Sequence, residues 1–160
     1  MSTNSPGGPV LSLLVPIYNV ERYLRECLDS AVAQTLENIE IICINDGSID
    51  GSPNIIREYM RRDPRVRMID KENSGYGDSM NRGLEMARGE YVGILESDDF
   101  MFANSLEKLV AKADAERSDI VKGDFYLYWS APSERRELFG IIDECMTGAA
   151  YRPIDRPGIF

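Results

Sequence analysis

The chain has 160 residues, of which 43% are hydrophobic and 28% are charged, the balance of a globular domain rather than of a disordered segment. It contains no histidine, which excludes His-dependent catalytic triads, His-ligated zinc and imidazole acid–base chemistry. Acidic residues outnumber basic residues by 27 to 18, a formal net charge of −9, and this argues against nucleic acid as a partner. Proton chemistry or metal binding must therefore depend on carboxylates, which suit Mg²⁺ or Mn²⁺.

Short apolar runs predict strands that are buried on both faces of a sheet. Each run ends at polar or turn-forming residues, such as Asn45–Ser48 after the second run. The predicted strands, in chain order, are Val10–Val15, Ile39–Ile44, Arg65–Ile69, Tyr91–Leu95 and Ile120–Trp129. Residues 1–9, which are rich in Ser, Gly and Pro, are predicted to form a flexible N-terminus.

Between these runs, apolar residues recur at helical spacing and predict amphipathic helices. Gly89 is predicted to stop the third helix as its C′ residue. The predicted helix starts are Asn19 as an N-cap, Ser52–Pro53, the end of the loop Asn73–Gly77, and Asn104 or Ser105.

Strands that alternate with amphipathic helices predict an α/β fold with a parallel sheet covered on both faces. Ligands bind such sheets at the carboxyl ends of the strands, near the point where the strand order reverses. Tyr18 follows the first predicted strand, Asp46 the second and Glu96–Asp99 the fourth. An aromatic ring there can stack on a nucleobase, and Asp46 can accept from a base N–H or a ribose hydroxyl. The acidic cluster suits a divalent ion beside a diphosphate.

The cysteines and the hydropathy predict a cytoplasmic protein. Cys27, Cys43 and Cys145 share no disulfide or metal-type spacing, so we expect reduced thiols. No apolar run approaches the ~18 residues that span a bilayer, and residues 1–9 lack the basic and apolar regions of a signal peptide. We therefore expect no transmembrane segment in this chain.

Several motifs occur in an order and spacing that resemble a known family. They are Val15–Asn19 (VPIYN), Asn45–Asp50 (NDGSID), Asn73–Gly75 (NSG), Asn81–Tyr91 (NRGLEMARGEY) and Glu96–Asp99 (ESDD). Together they look like the donor-binding half of a family 2 glycosyltransferase with the GT-A fold, over a match from Val10 to Phe102. The resemblance implies a three-layer sandwich with a mostly parallel, Rossmann-like central sheet.

The resemblance also implies a nucleotide-sugar donor, commonly a UDP-sugar, and transfer to an acceptor hydroxyl with inversion. The E-S-D segment stands where the family has its D-x-D motif, which implies a Mn²⁺ or Mg²⁺ ion held mainly by Asp98, with Glu96 and Asp99 as further candidates. Glu96 stands where the family usually has Asp, so a ribose role and a metal role both stay open for it. By position, the residues implied to bind the nucleotide are Pro16, Tyr18, Asn19, Asp46, Ser48, Asn73, Gly75, Glu96, Ser97 and Asp98.

The organisation of the chain follows from the same resemblance. Residues 10–129 would form the nucleotide-sugar-binding domain, and residues 130–160 would begin a truncated acceptor-side region. The catalytic base of the family lies well downstream of the D-x-D motif, so we expect it beyond Phe160 and expect this chain to bind nucleotide and metal but to transfer sugar poorly. The resemblance further implies a glycan or lipid-linked acceptor, polysaccharide or cell-surface glycan synthesis, and membrane association through a missing C-terminal part. It leaves a homodimer open.

Two alternatives stay open: a nucleotide-binding domain without transfer activity, and an α/β nucleotidyltransferase. A carboxylate-based phosphatase is disfavoured because no Asp nucleophile leads the E-S-D segment. A dinucleotide-binding dehydrogenase is disfavoured because Gly75-Tyr76-Gly77 lacks the third glycine of that motif, Met80 standing in its place. The loop also follows the third predicted strand rather than the first.

Overall fold

The computed structural model describes residues 7–129 and 134–139, which fall into two compact units, one up to Glu107 and one from Lys108 onward. The first unit contains β1 (Leu11–Ile17), α1 (Glu21–Val32), β2 (Ile39–Asp46), α2 (Ser52–Arg62), β3 (Val66–Lys71), α3 (Tyr76–Met86) and β4 (Tyr91–Ile94). Helix α4 (Ser105–Glu116) begins in the first unit and continues into the second, which also contains β5 (Phe125–Trp129) and β6 (Arg135–Phe139).

Strands β1 to β4 form one parallel four-stranded sheet in the order β3-β2-β1-β4. Every residue of β1 and β2 is buried, as expected for central strands whose two faces are both covered. The chain places β2 and β3 on one side of β1 and then crosses to place β4 on the other, so the strand order reverses at β1. The predicted α/β fold is confirmed, and the carboxyl ends of β1 and β4 flank the point where open parallel sheets bind ligands.

Helix α3 covers one face of this sheet. Its Met80 packs with Leu14, Ile42 and Ile44 in one buried cluster, and Gly83 lies so close to the sheet that an added Cβ would be 3.1 Å from Leu14 Cδ1. Alternate strand residues point to the opposite face, which α1 and α2 cover. Their buried side chains are spaced for one helix face: Leu24, Cys27, Leu28, Ile55, Ile56 and Tyr59.

Strand β1 continues through Pro16 to Ile17, beyond the predicted end at Val15. Leu14 O accepts from Leu95 N, so the backbone groups of Leu14 face β4. Pro16 lies two residues further along β1, and its backbone groups face the same side. Because β4 ends opposite Leu14, no residue of β4 pairs with Pro16, and the sheet loses no hydrogen bond through the amide hydrogen that proline lacks.

The predictions that Asn19 and Gly89 are helix caps were wrong. Helix α1 begins at Glu21, and its N-cap residue is Val20, which makes no side-chain capping bond. Helix α3 ends at Met86 with Ala87 as its C-cap. Gly89 instead lies against β1, where an added Cβ would be 2.4 Å from Ser12 N, so a close backbone approach is what requires this glycine.

The fifth predicted strand is shorter than expected and lies in a separate sheet. Strand β5 pairs antiparallel with β6 in a two-stranded sheet of the second unit. Of the predicted acceptor-side region 130–160, only residues 134–139 are described, and Cys145 lies outside the described residues. Within residues 7–129 and 134–139, no helix is long and apolar enough to cross a membrane.

Candidate functional site

The loops that follow β1 and β2 are tied together at the carboxyl edge of the sheet. Asn19 N donates to Ser48 Oγ at 3.0 Å, and Ile49 N donates to Asn19 Oδ1 at 2.9 Å. Asn19 adopts a φ of 54°, a left-handed conformation that Asn tolerates better than most residues. Its side chain therefore joins two loops instead of capping α1, and Tyr18 beside it remains 52% exposed.

A second set of bonds joins the starts of α1 and α2. Glu21 N donates to Asp50 Oδ2 at 3.0 Å, and Gly51 N donates in return to Glu21 Oε2 at 2.8 Å. Val20 N donates to Ser52 Oγ at 3.2 Å. Glu21 at the start of α1 thus accepts from the backbone just before α2, while Asp50 and Ser52 accept from the backbone at the start of α1. These bonds satisfy amides that a helix leaves unpaired at its first turn.

Asp46 ends β2 and is buried. Its carboxylate accepts from Ser74 N at 2.8 Å, from Gly75 N at 2.9 Å and from Lys71 Nζ. Burial alone would raise the pKa of Asp46, but the bonds from Lys71 and from the two amides outweigh burial and hold the pKa below its ordinary value. Asp46 is therefore an ionised carboxylate that also shapes the loop between β3 and α3.

Lys71 ends β3 beside Asp46, its register partner across the two strands. Its ammonium also contacts Ser74 Oγ at 2.5 Å and Asp78 Oδ2 at 3.1 Å. Burial by itself would lower the pKa of Lys71, but Asp46 and Asp78 together raise it. The pKa of Asp78 falls to about 2 because Ser74, Lys71 and Arg82 donate to its carboxylate. A charged network thus fixes the start of α3 next to Asp46.

The loop between β3 and α3 depends on two glycines with positive φ. Gly47 has a φ of 68°, and an added Cβ there would be 2.7 Å from Asn73 N, so this glycine lets the two loops approach. Gly75 has a φ of 89° and a ψ of 167°, a region that is essentially restricted to glycine. Both conformations bring Asn73, Ser74 and Gly75 against the end of β2.

The acidic segment Glu96–Asp99 directly follows β4 on the other side of β1. Leu95 N donates to Leu14 O at 3.0 Å, and Glu96 O accepts from Asp99 N at 3.0 Å and from Cys27 Sγ at 3.6 Å. Ser97 is buried, whereas the Asp98 side chain is exposed. Burial, followed by the charges of Asp98 and Glu96, raises the pKa of Asp99, so like charges are crowded here and a cation would stabilise them.

These carboxylates fit a hard divalent cation by their chemistry. Within the described residues, no group of three or more Asp, Glu, Cys or His side chains is arranged to hold a metal ion. Mg²⁺-type ions are usually held by one or two protein carboxylates together with substrate phosphates. An acidic pair such as Asp98 and Asp99 therefore suits an ion whose remaining ligands come from a diphosphate.

The predicted nucleotide-binding residues lie at one edge of the parallel sheet. The structure brings Asn19 against Ser48, and Asp46 against Gly75. Pro16 is buried inside β1, whereas Tyr18 and Asp98 are exposed. The remaining predicted residues follow β1, β3 or β4: Tyr18, Asn73, Glu96, Ser97 and Asp98.

Sequence reasoning missed three residues of this region. Lys71 donates to Asp46 and also pairs with Asp78. Tyr76 OH donates to Glu96 Oε1 at 2.7 Å. Lys71 could have been found because it ends the predicted third strand, next to the end of the second. No sequence signal pairs Tyr76 with Glu96, since they lie 20 residues apart and meet only through the crossover of α3.

Comparison with known proteins agrees with this fold. Residues 12–149 match the family described as Glycosyl transferase family 2. The uncharacterized glycosyltransferase EpsJ of Bacillus subtilis is 42% identical over 118 residues, which cover 74% of this chain and 34% of EpsJ. The crystal structure of S. aureus TarS 1–349 in complex with UDP-GlcNAc matches with a TM-score of 0.64 at 30% identity, covering 68% of this chain and 32% of that one.

A second solved structure, the mannosyltransferase PcManGT from Pyrobaculum calidifontis in complex with GDP-Man and Mn²⁺, matches with a TM-score of 0.57 at 25% identity. The match covers 66% of this chain and 32% of that one. The fold and these structural matches thus define an α/β domain of the GT-A class. Because the family match extends over residues 12–149, the chain belongs to glycosyl transferase family 2, and the predicted resemblance is confirmed.

Proposed function

We propose that this chain forms the donor-binding part of an enzyme that transfers a sugar from a nucleoside diphosphate to an acceptor hydroxyl with inversion. The nucleoside diphosphate that we propose is UDP. The observation that carries the proposal is the placement of Asp46 and of Glu96–Asp99 at the ends of β2 and β4, on either side of β1. Asp46 would bind the nucleobase, and the acidic segment Glu96–Asp99 would lie beside the charged diphosphate. The similarity to TarS, which was solved with UDP-GlcNAc, supports UDP as the donor nucleotide.

The base would bind between Tyr18 and Asp46. The exposed Tyr18 ring offers a stacking surface, and stacking contributes about 1–3 kcal/mol per base in single-strand binders. A carboxylate offers about four acceptor positions, and the structure fills three of those of Asp46 with Lys71, Ser74 and Gly75. One position remains for an N–H donor, which uracil provides at its ring nitrogen. Asn19 and Ser48 hold the loop that carries Tyr18.

The diphosphate would lie beside the acidic segment. Asp98, with Asp99 or Glu96, would hold a Mn²⁺ or Mg²⁺ ion, which when bound supplies Lewis-acid stabilisation of the leaving diphosphate. Ser97 within this segment is buried. Asn73 and Gly75 would border the phosphates from the opposite loop.

The wider setting of this proposal is an acceptor that is a glycan or a lipid-linked sugar, in polysaccharide or cell-surface glycan synthesis. A cytoplasmic location is supported by the free and buried Cys27 and Cys43, since thiols persist in reducing compartments. Burial raises the pKa of Cys43 to about 12, so this thiol is inert rather than catalytic.

Calorimetric titrations with UDP, GDP, dTDP and NAD, each with and without Mn²⁺, test the proposal. We expect UDP to bind and Mn²⁺ to strengthen its binding. Asp98→Ala should abolish the Mn²⁺ effect, while Glu85→Ala, which changes an exposed acid in the last turn of α3, should leave it intact. Metal-independent binding of NAD without binding of UDP would contradict the proposal.

A further inference from the structure

The ammonium group of Lys71 is buried between two carboxylates at the end of β3. The Lys71 side chain is 4% exposed, and that of Asp46 is 7% exposed. Three acceptors surround the ammonium: a carboxylate oxygen of Asp46, Ser74 Oγ at 2.5 Å and Asp78 Oδ2 at 3.1 Å. An ammonium has three hydrogens to donate, and these acceptors take all three. Lys71 therefore acts on a ligand only through the groups that it holds.

The two carboxylate oxygens of Asp46 are occupied unequally. Oδ1 accepts from Lys71 Nζ and from Ser74 N at 2.8 Å, while Oδ2 accepts from Gly75 N at 2.9 Å. Each carboxylate oxygen has two lone pairs, so the open acceptor position of Asp46 lies on Oδ2. Lys71 thus binds the oxygen that is already filled, and it leaves the other oxygen free to accept from a base.

The charge of Lys71 also controls the protonation of Asp46. Burial by itself would raise the pKa of Asp46, but the bonds from Lys71 and from two backbone amides hold this pKa below its ordinary value. The other charged groups of the cluster lie on α3: Asp78 contacts the same ammonium, and Arg82 Nε donates to Asp78 at 2.9 Å. Without Lys71, Asp46 would stay buried and no cation would separate it from Asp78, so its pKa would rise.

The protonation of Asp46 matters because nucleobases differ at the ring nitrogen that would face it. Uracil, thymine and guanine carry an N–H at this position, which an ionised carboxylate accepts. Cytosine and adenine carry a lone pair there instead, and only a protonated carboxyl group can donate to it. An ionised Asp46 therefore favours the first class of bases, whereas a neutral Asp46 would accommodate both classes.

We propose that Lys71 is a positioning residue for base recognition: it occupies Oδ1 of Asp46 and keeps Asp46 ionised, so that Oδ2 selects bases with an N–H at the ring nitrogen. Cytosine is thereby rejected at neutral and at mildly acidic pH. The inference rests on the proposed function, since it requires a nucleobase beside Asp46, and it adds a residue that touches no part of the nucleotide.

The test measures the ratio of the dissociation constants of CDP and UDP by calorimetry, at about pH 6 and about pH 8, in the complete protein. Both nucleotides carry the same diphosphate, so its contribution cancels in the ratio. The unchanged protein should bind CDP about 5- to 150-fold more weakly than UDP at both pH values, because CDP leaves a charged acceptor unpaired. In Lys71→Met the ratio should be smaller at pH 6 than at pH 8 by about threefold or more, because Asp46 takes up a proton as the pH falls.

Two further variants separate the charge of Lys71 from its bulk. Lys71→Arg keeps the positive charge and should give the same ratio at both pH values. Arg61→Met is the matched control, because it removes an exposed cation from the last turn of α2, and it should behave as the unchanged protein does. A melting curve checks that Lys71→Met folds. If it does not, Lys71→Gln, which keeps a hydrogen-bond donor but loses the charge, decides the outcome by the same measurement.

The inference would be overturned by a ratio in Lys71→Met that is as large at pH 6 as in the unchanged protein. Equal binding of CDP and UDP by the unchanged protein would also overturn it. An equal loss of affinity for both nucleotides at both pH values would restrict Lys71 to holding the loop in shape, and would likewise count against the inference. Failure of the unchanged protein to bind either nucleotide would instead contradict the proposed function, so the two failures are distinguishable.

Discussion

Replacing Glu40 by Gln should destabilise the protein without affecting nucleotide binding. Glu40 is buried near the amino end of β2. Its Oε1 accepts from Ser12 Oγ at 2.7 Å and from Arg88 N at 2.8 Å, and its Oε2 accepts from Arg67 and Arg88, each at 2.8 Å. Asp46 lies six residues further along the same strand, about 20 Å away at 3.3 Å per residue. The change is therefore remote from the candidate site.

The size of the effect follows from the pKa of Glu40. Burial alone would raise this pKa, but donation from Arg88, Ser12 and Arg67 outweighs burial and lowers the pKa from 4.5 to about 2. A depression of this size corresponds to about 3 kcal/mol at neutral pH. The Arg67 and Arg88 side chains are 33% and 62% exposed, so water replaces part of what they lose, and about 2 kcal/mol is expected. For a domain of this size that lowers Tm by roughly 4–8 °C.

Urea unfolding of Glu40→Gln at several pH values measures this contribution. Because the pKa of the folded state is depressed, the stabilisation is present above the unfolded pKa near 4.5 and is lost as pH falls toward 2. The two proteins should therefore differ at pH 7 and converge toward pH 2. Glu58→Gln, which removes an exposed pair with Arg25, should leave Tm unchanged. A difference that persists unaltered at low pH, or an equal loss in Glu58→Gln, would refute the reasoning.

Two further predictions concern the loops at the candidate site. Asp46→Asn should weaken UDP binding at least tenfold both with and without Mn²⁺ in calorimetry, because it removes the charge that holds Lys71 and the amides of Ser74 and Gly75; an effect confined to Mn²⁺ would contradict this. Gly75→Ala should destabilise the protein by about 1–3 kcal/mol through its positive φ alone, since an added Cβ meets nothing within 4 Å. Gly77→Ala also meets open space but has no positive φ, so it should stabilise α3 by up to ~1 kcal/mol; equal urea midpoints for the two variants would contradict the argument.

Much of the sheet could be predicted from the sequence because β1 and β2 are buried on both faces, which forces continuous apolar runs. The location of the site followed from the same pattern, since polar residues that end such runs must meet at one edge. The cap prediction for Asn19 failed because its partner, Ile49 N, lies 30 residues away. Local propensity cannot identify such a partner, since only the pairing of β1 with β2 brings the two loops together.

The same limit applies to the charged residues around the site. The contact between Lys71 and Asp46 depends on the register of β3 against β2, which no single segment determines. Likewise, Tyr76 meets Glu96 because α3 carries the chain from one side of β1 to the other. Residues that end strands could therefore be predicted to lie at the candidate site, whereas the pairs that orient them depend on tertiary structure.

The bonds between the loops after β1 and β2 have a consequence for the kinetics of recognition. Asn19 and Ile49 are fixed to each other's loops during folding, and ordering a backbone residue costs about 1–2 kcal/mol. That entropy is already lost before any nucleotide arrives, so the proposed binding of a base at Tyr18 requires little further ordering. Encounter should then resemble rigid docking, and differences in affinity between nucleobases should lie in how fast each one leaves rather than in how fast it binds.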